Sequence, residues 1–220
     1  MANGRVLVIG DTHFPFHSVS AYKNLISLTK DVRPTHIIQI GDLLDQYVFS
    51  KYSRSFDISP KEDIDYGLSF AEDMWTEMQS ISKTAKCYQL VGNHDVRICK
   101  RIAEKLPELS RYFSFKNIYK FDNVKVMQSD RDFLNIEGIV YVHGWLSKSI
   151  DHAKYFGKPT VHGHRHRPCI EYDRKDLWSM DVGYMADENS LPLQYTANKF
   201  TKWTTSCGLI ENGLPRIIVL

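Results

Sequence analysis

Five times within the first 166 residues a short apolar run breaks at or beside a glycine and continues at once into aspartate, asparagine or histidine. The blocks are Gly10-Asp11-Thr12-His13, Gly41-Asp42-Leu43-Leu44-Asp45, Gly92-Asn93-His94-Asp95, His143-Gly144 and Gly163-His164-Arg165-His166. The runs before them, such as 5–9, 35–40 and 87–91, have the length and apolar content of strands buried on both faces. In sheets of parallel strands, ligands collect at the carboxyl ends. A chain that ends five strands in this way is constrained to an α/β fold that gathers those ends at one place.

The rest of the N-terminal half supports parallel pairing. Residues 18–31 carry Ala21, Leu25, Ile26 and Leu28 at helical spacing behind Ser18, and Arg33-Pro34 closes the helix. Strand, helix, strand then implies a right-handed crossover. Residues 46–65 break the rhythm and read as a loop or a short helix plus loop, with Tyr47, Phe49, Tyr52 and Phe56 mixed with Lys51 and Arg54. A long amphipathic helix is expected over 66–84 and a further helix over 96–103. Beyond it, a basic and aromatic patch spans 111–121. Strands are expected at 124–128, 133–136, 139–142, 160–162, 169–172, 177–182, 203–210 and 216–219, with one helix over 147–157. Glu211-Asn212-Gly213 predicts a tight hairpin turn. This pattern predicts two packed sheets with helices outside, the N-terminal half more parallel and the C-terminal half more antiparallel.

At 220 residues and 43% hydrophobic content, the chain suits one core and a single domain over 1–220. Its net charge of +2 argues against bulk attraction to nucleic acid or an anionic membrane, so any anion binding must be local. Cys87, Cys99, Cys169 and Cys207 lack the paired spacing of a zinc knuckle and do not form a disulfide framework for a domain this size. No apolar run reaches membrane-spanning length or resembles a secretory leader, which points to a cytoplasmic protein with no membrane role. Histidine is the informative residue. Five of nine fall in the blocks, a distribution that suggests metal.

Gly92-Asn93-His94-Asp95 alone also reads as a turn with a helix cap. The other strand ends change its meaning, because together they would assemble Asp11, His13, Asp42, Asn93, His143, His164 and His166. Seven oxygen and nitrogen ligands without cysteine exceed one tetrahedral zinc and fit two divalent ions sharing a carboxylate. Residues two apart in extended chain project to one side, which would aim Asp11 with His13, and His164 with His166, while Arg165 points elsewhere. Four positive charges from two ions, set against Asp11, Asp42 and a hydroxide, leave the site cationic and attractive to phosphate.

The ordered blocks Asp-x-His, Gly-Asp-x-x-Asp, Gly-Asn-His-Asp, His and Gly-His-x-His, spanning Asp11 to His166, resemble the calcineurin-like metallophosphoesterase superfamily. The resemblance implies a four-layer α/β/β/α sandwich of two mixed sheets flanked by helices. It implies a phosphoesterase with two divalent ions, manganese foremost and iron, zinc, nickel or cobalt acceptable. Asp11, His13, Asp42 and His166 would hold the first ion, and Asp42, Asn93, His143 and His164 the second. His94 would approach the phosphate and protonate the leaving oxygen, Asp95 would orient His94, and Asp45 would support the ligands from behind. The implied reaction is attack of a metal-activated hydroxide on phosphorus.

The implied substrate is a phosphate ester: a nucleotide, a nucleic acid or another small monoester or diester. The nearest alternative is a DNA exonuclease or endonuclease resembling the double-strand-break repair nucleases, followed by a protein phosphatase or a scaffold that does not catalyse. Protein serine/threonine phosphatases of this superfamily carry arginine and glycine after the second block and glutamate at the end of the third. Gln46, Tyr47 and Asp95 stand there in this chain and argue against that branch. Arg97 is a candidate replacement grip on phosphate, although both it and Arg101 suit a solvated helix face better. Tyr47 and Tyr52 are candidates for stacking on a base. His17, His36 and His152 read as ordinary loop or surface residues, and His162 as a core residue or a support behind the ligands rather than a ligand. No motif fixes an oligomeric state.

Overall fold

A computed structural model describes residues 4–50, 58–173, 176–190, 192–193 and 203–220. Strand β1 (Arg5–Ile9) shows how the layers are dictated. Successive side chains of a strand point to opposite faces. Leu7 and Ile9 therefore enter one core, shared with helices, and Val6 and Val8 enter another, shared with a second sheet.

The first sheet also contains β2 (His36–Gln39), β3 (Lys86–Gln89) and β4 (Val124–Val126), all pairing parallel in sequence with β1. Its outer face is covered by α1 (Val19–Val32) and α2 (Tyr66–Ile81), whose Leu25, Ile26, Met74, Trp75 and Met78 meet Leu7, Ile9 and Ile37. The Ser18 side chain caps α1 by accepting from the Ala21 N–H. A π-helical turn at Lys61–Asp65 leads into α2.

Helix α3 (Arg97–Lys105) and the short α4 (Phe115–Ile118) connect β3 to β4, after which the chain enters the second sheet. That sheet is built from β5 (Phe133–Ile136), β6 (Ile139–Val142), β7 (Thr160–His162), β8 (Cys169–Tyr172) and β9 (Trp178–Asp181) in the order β5-β6-β7-β9-β8. Its Tyr141, Val161 and Met180 face Val8, Ile38 and Ile40 across the sandwich. Helix α5 (Ser149–Phe156) lies on the outer face and completes four layers.

The C-terminal half is the more antiparallel one, as the sequence pattern predicts, although β6, β7 and β9 pair parallel. The reason is α5, which returns the chain across the sheet between β6 and β7 and so permits parallel pairing. Strands β10 (Ser206–Glu211) and β11 (Leu214–Val219) return to the first sheet, β10 pairing antiparallel with β1. Their two-residue turn has Asn212 and Gly213 both at positive φ, as the Asn-Gly pair requires.

Candidate metal centre

The site begins with backbone that approaches more closely than side chains allow. A Cβ on Gly92 would sit 2.0 Å from Asp42 Oδ1, and one on Gly163 would sit 2.2 Å from Asp11 Oδ1. Glycine at these positions lets main-chain N–H groups reach the carboxylates. His94 N–H donates to Asp42 Oδ1 (2.8 Å), and His164 N–H donates to Asp11 Oδ2 (2.9 Å).

Around these two aspartates the structure gathers every ligand-type residue of the five blocks. Asp11, His13 and His166 offer three donor atoms within 4.8 Å of one another, and so do Asp42, His143 and His164. The Asn93 Oδ1 lies 3.2 Å from His143 Nε2. Of the aspartates and histidines here, all but His164 are buried. A third trio, His13, Asp45 and His94, shares His13 with the first.

The residues are brought together by a different local geometry from the extended one that their spacing suggests. His13, Asp42, His164 and His166 all have positive φ, between 50° and 72°. Two left-handed residues in one block turn His164 toward Asp42 and His143 while His166 turns toward Asp11 and His13. The two histidines therefore serve different trios. Such conformations are uncommon for residues with a Cβ and concentrate at functional sites.

The electrostatics describe a cluster short of cations. Burial alone would raise Asp42, but His143 and His94 beside it hold its carboxyl well below the usual range. Burial alone would lower His143, yet Asp42 and Asp11 push it up to about 10. Protons on imidazoles thus answer the buried carboxylates, and a metal ion competes for those same sites. Asp11 Oδ1 and His166 Nδ1 are buried without a hydrogen-bond partner. An unpartnered buried acceptor at the mouth of a trio, with oxygen and imidazole donors and no thiol, fits divalent metal ions.

Around the trios several sequence expectations change. Asp95 does not orient His94: its carboxylate accepts from the Leu44 and Gly92 N–H groups (3.0 and 2.8 Å), pinning the β2 loop to the tetrad. Asp45 takes that place. His94 Nδ1–H donates to its carbonyl (3.1 Å), and its carboxylate accepts from His13 Nδ1–H (2.9 Å). Arg97 is not on a solvated face. Its Nη2 donates to His94 Nε2 (2.8 Å) and its Nη1 to the Asp45 carbonyl (2.9 Å). Arg101 is exposed. Tyr47 is buried, edge-on to Phe16, and a buried ring cannot stack on a base. Tyr52 lies outside the described residues.

Sequence reading missed the amides behind the site. Gln39 grips the β2 turn, donating to the Gly41 carbonyl (2.9 Å) and accepting from the Gly41 N–H (2.8 Å). Gln46 donates to the Asp95 carbonyl (2.8 Å) and accepts from the Ile98 N–H (2.8 Å). The available signal was a glutamine in an otherwise apolar run just before a block, as at Gln39 and Gln89. His152, expected at the surface, is fully buried. It stacks on His162 with ring centroids 4.1 Å apart and accepts from the Trp145 and Leu146 N–H groups.

A model of the family described as calcineurin-like phosphoesterase matches residues 4–203. The chain is a calcineurin-like phosphoesterase. It is 26% identical to the Gene 54 protein of Mycobacterium phage D29 over 240 residues, which cover 94% of this chain and 88% of that protein. The Gene 54 protein of Mycobacterium phage L5 is likewise 26% identical, over 231 residues, with the same coverage. The phosphoesterase also shares its fold with YfcE, a phosphoesterase from E. coli. That likeness has a TM-score of 0.50 at 12% identity and covers 98% of this chain and 92% of YfcE. As its family implies, this phosphoesterase is a metal-dependent hydrolase of phosphate esters, with Asp and His side chains as candidate ligands. Among the described residues, no helix is long and apolar enough to cross a membrane.

Proposed function

We propose that the whole chain forms one catalytic domain that hydrolyses a phosphate ester at a centre of two divalent ions. Asp11, His13, Asp42 and His166 hold one ion, and Asp42, Asn93, His143 and His164 hold the other, with Asp42 shared. The observation that carries this reading is the pair of donor trios, Asp11/His13/His166 and Asp42/His143/His164, each compact within 4.8 Å. Manganese is the expected ion, because a site of oxygen and imidazole donors is filled largely by availability. When bound, the ions supply Lewis acidity toward phosphoryl oxygens and lower the pKa of water.

The chain's own residues supply orientation and proton transfer. Asp45 holds the His94 ring through Nδ1, which leaves Nε2 facing Arg97, with the Asp42 carboxylate 4.0 Å away. Arg97 occupies Nε2 before substrate arrives. A phosphoryl oxygen is the stronger acceptor for a guanidinium, so substrate draws Arg97 onto itself and frees Nε2. With Nδ1–H still held by the Asp45 carbonyl, the freed Nε2 takes up a proton from solvent and delivers it to the leaving oxygen. Asp95 keeps the β2 loop and the tetrad in register while this happens.

The test is hydrolysis of paired chromogenic phosphate monoesters and diesters by protein reconstituted with manganese, iron, zinc, nickel or cobalt. Turnover restored by at least one ion is the expected result. No turnover on any ester with two ions bound per chain would overturn the reading in favour of a scaffold.

A further inference from the structure

The whole chain carries a net charge of +2, but the charge is unevenly placed. Residues 97–121 contain seven Lys and Arg against two Glu, a net of +5, which leaves the rest of the chain at −3. This segment starts at the site, because Arg97 opens α3 and touches His94 and Asp45. Lys100, Arg101, Lys105, Arg111, Lys116 and Lys120 are all exposed.

Helical geometry arranges part of this charge in a line. Positions four apart lie on neighbouring places of one helix face, about 6 Å along the axis. Arg97, Arg101 and Lys105 therefore form a stripe leading from the metal centre outward, over about 12 Å. Side chains on a helix lean toward its N-terminus, here toward the site. Glu104 lies on the same helix, and Lys100, off the stripe, is paired with Asp130 (2.9 Å). Past its end, Tyr112 is 57% exposed and the Arg111 guanidinium lies 4.6 Å from its ring centroid. The Asn117 side chain holds the backbone there, donating to the carbonyls of Arg111 and Tyr112. Cations at repeated spacing followed by an exposed aromatic ring match a strand with a phosphate at each step and a base at its side.

We propose that the substrate is a nucleic acid strand, with one phosphodiester at the metal centre and the flanking phosphates running along Arg101 and Lys105 toward Tyr112. This rests on the phosphoesterase reading of the same site, names its substrate class, and favours the nuclease branch. A lone phosphomonoester would use Arg97 and leave the remainder of the stripe without work.

The experiment measures fluorescence anisotropy of a labelled 20-nucleotide single-stranded phosphorothioate DNA with the full-length, manganese-loaded protein between 50 and 200 mM salt. Arg101→Glu with Lys105→Glu is expected to weaken binding at least tenfold and to flatten the slope of log affinity against log salt by about two. Lys23→Glu with Lys30→Glu makes the same charge change on exposed positions of α1 and should shift affinity by less than about twofold. Glu104→Lys should tighten binding. Equal weakening by both double variants, or no binding by the parent protein, would overturn the proposal. The chromogenic ester assay separates the two readings. A strand bound through the stripe while no ester is cut upholds the track and sinks the catalytic reading, and esters cut with no strand bound do the reverse.

Discussion

His162 and His164 are two residues apart and end the same strand, yet they belong to opposite chemistries. His164 faces Asp42 and His143 at the candidate metal centre. His162 faces away, onto α5, where Ser149 Oγ lies 2.8 Å from its Nε2 and its Nδ1–H donates to the Gly163 carbonyl (2.9 Å). With His152 it makes a second buried pair of imidazoles, and the groups bonded to that pair are hydroxyl and backbone. The outcome is written in the protonation. His143, beside two carboxylates, is pushed up to about 10, whereas burial pulls His152 down to about 4. Burial is common to both pairs and lowers His164 as it lowers His162 and His152, so the difference lies in the carboxylates, which face only the first pair and give a cation something to bind.

The contrast breaks most sharply if a shape-conserving substitution is made in each pair. His143→Phe should remove one of two ions per chain and reduce ester hydrolysis to background, measured by elemental analysis beside the assay. His94→Ala should keep both ions and lose roughly 10²- to 10⁴-fold in turnover on esters with poor leaving groups. Parent-rate hydrolysis by that variant would show that His94 donates no proton. His162→Phe, in the rear pair, should leave metal content unchanged and destabilise the fold by about 1–3 kcal/mol, because the buried Ser149 hydroxyl loses its imidazole partner and the Gly163 carbonyl keeps only the Arg165 N–H of its two donors. Denaturant unfolding measures that loss.

The smallest effect is on pH dependence. Burial lowers His152 in the folded chain while the unfolded chain keeps its ordinary value of 6.5. The unfolded state therefore binds more protons below that value, and stability present at neutral pH is lost as pH falls from about 6.5 toward 4. His152→Gln keeps an acceptor for the Trp145 and Leu146 N–H groups but does not titrate. It should remove about 1–2 kcal/mol of the acid loss, seen as a flatter profile of unfolding free energy between pH 7 and 4. An unchanged profile would place the acid sensitivity elsewhere.

The strand ends were legible because they combine an apolar run, a glycine and a ligand-type residue within a few positions. The Asn212-Gly213 hairpin and strands such as Ile139–Val142 were legible for the same local reason. What escaped depends on partners far away in sequence. Extended spacing joined His164 to His166, but left-handed turns at both send them to different trios. Asp95 sits next to His94 in the chain, yet Asp45, from another strand end, holds the imidazole. His152 looked like a surface residue because nothing nearby in sequence announces that β7 and β9 will cover it. Gln39 and Gln46 serve the backbone of neighbouring loops, and only the fold decides which carbonyl and which N–H each of them meets.

The hydrogen bond from His164 N–H to Asp11 crosses from the second sheet to the first, and the Asp11/His13/His166 and Asp42/His143/His164 trios also draw on both sheets. Ions bound there would act as rivets between the two halves of the sandwich. Because such ions bind only where the halves are docked, occupancy at a hundred times the dissociation constant adds about 2.7 kcal/mol to the resistance to separation for each ion. Metal supply would then govern how long the molecule survives as well as how fast it works, and starvation for metal would be felt first as proteolysis at the seam.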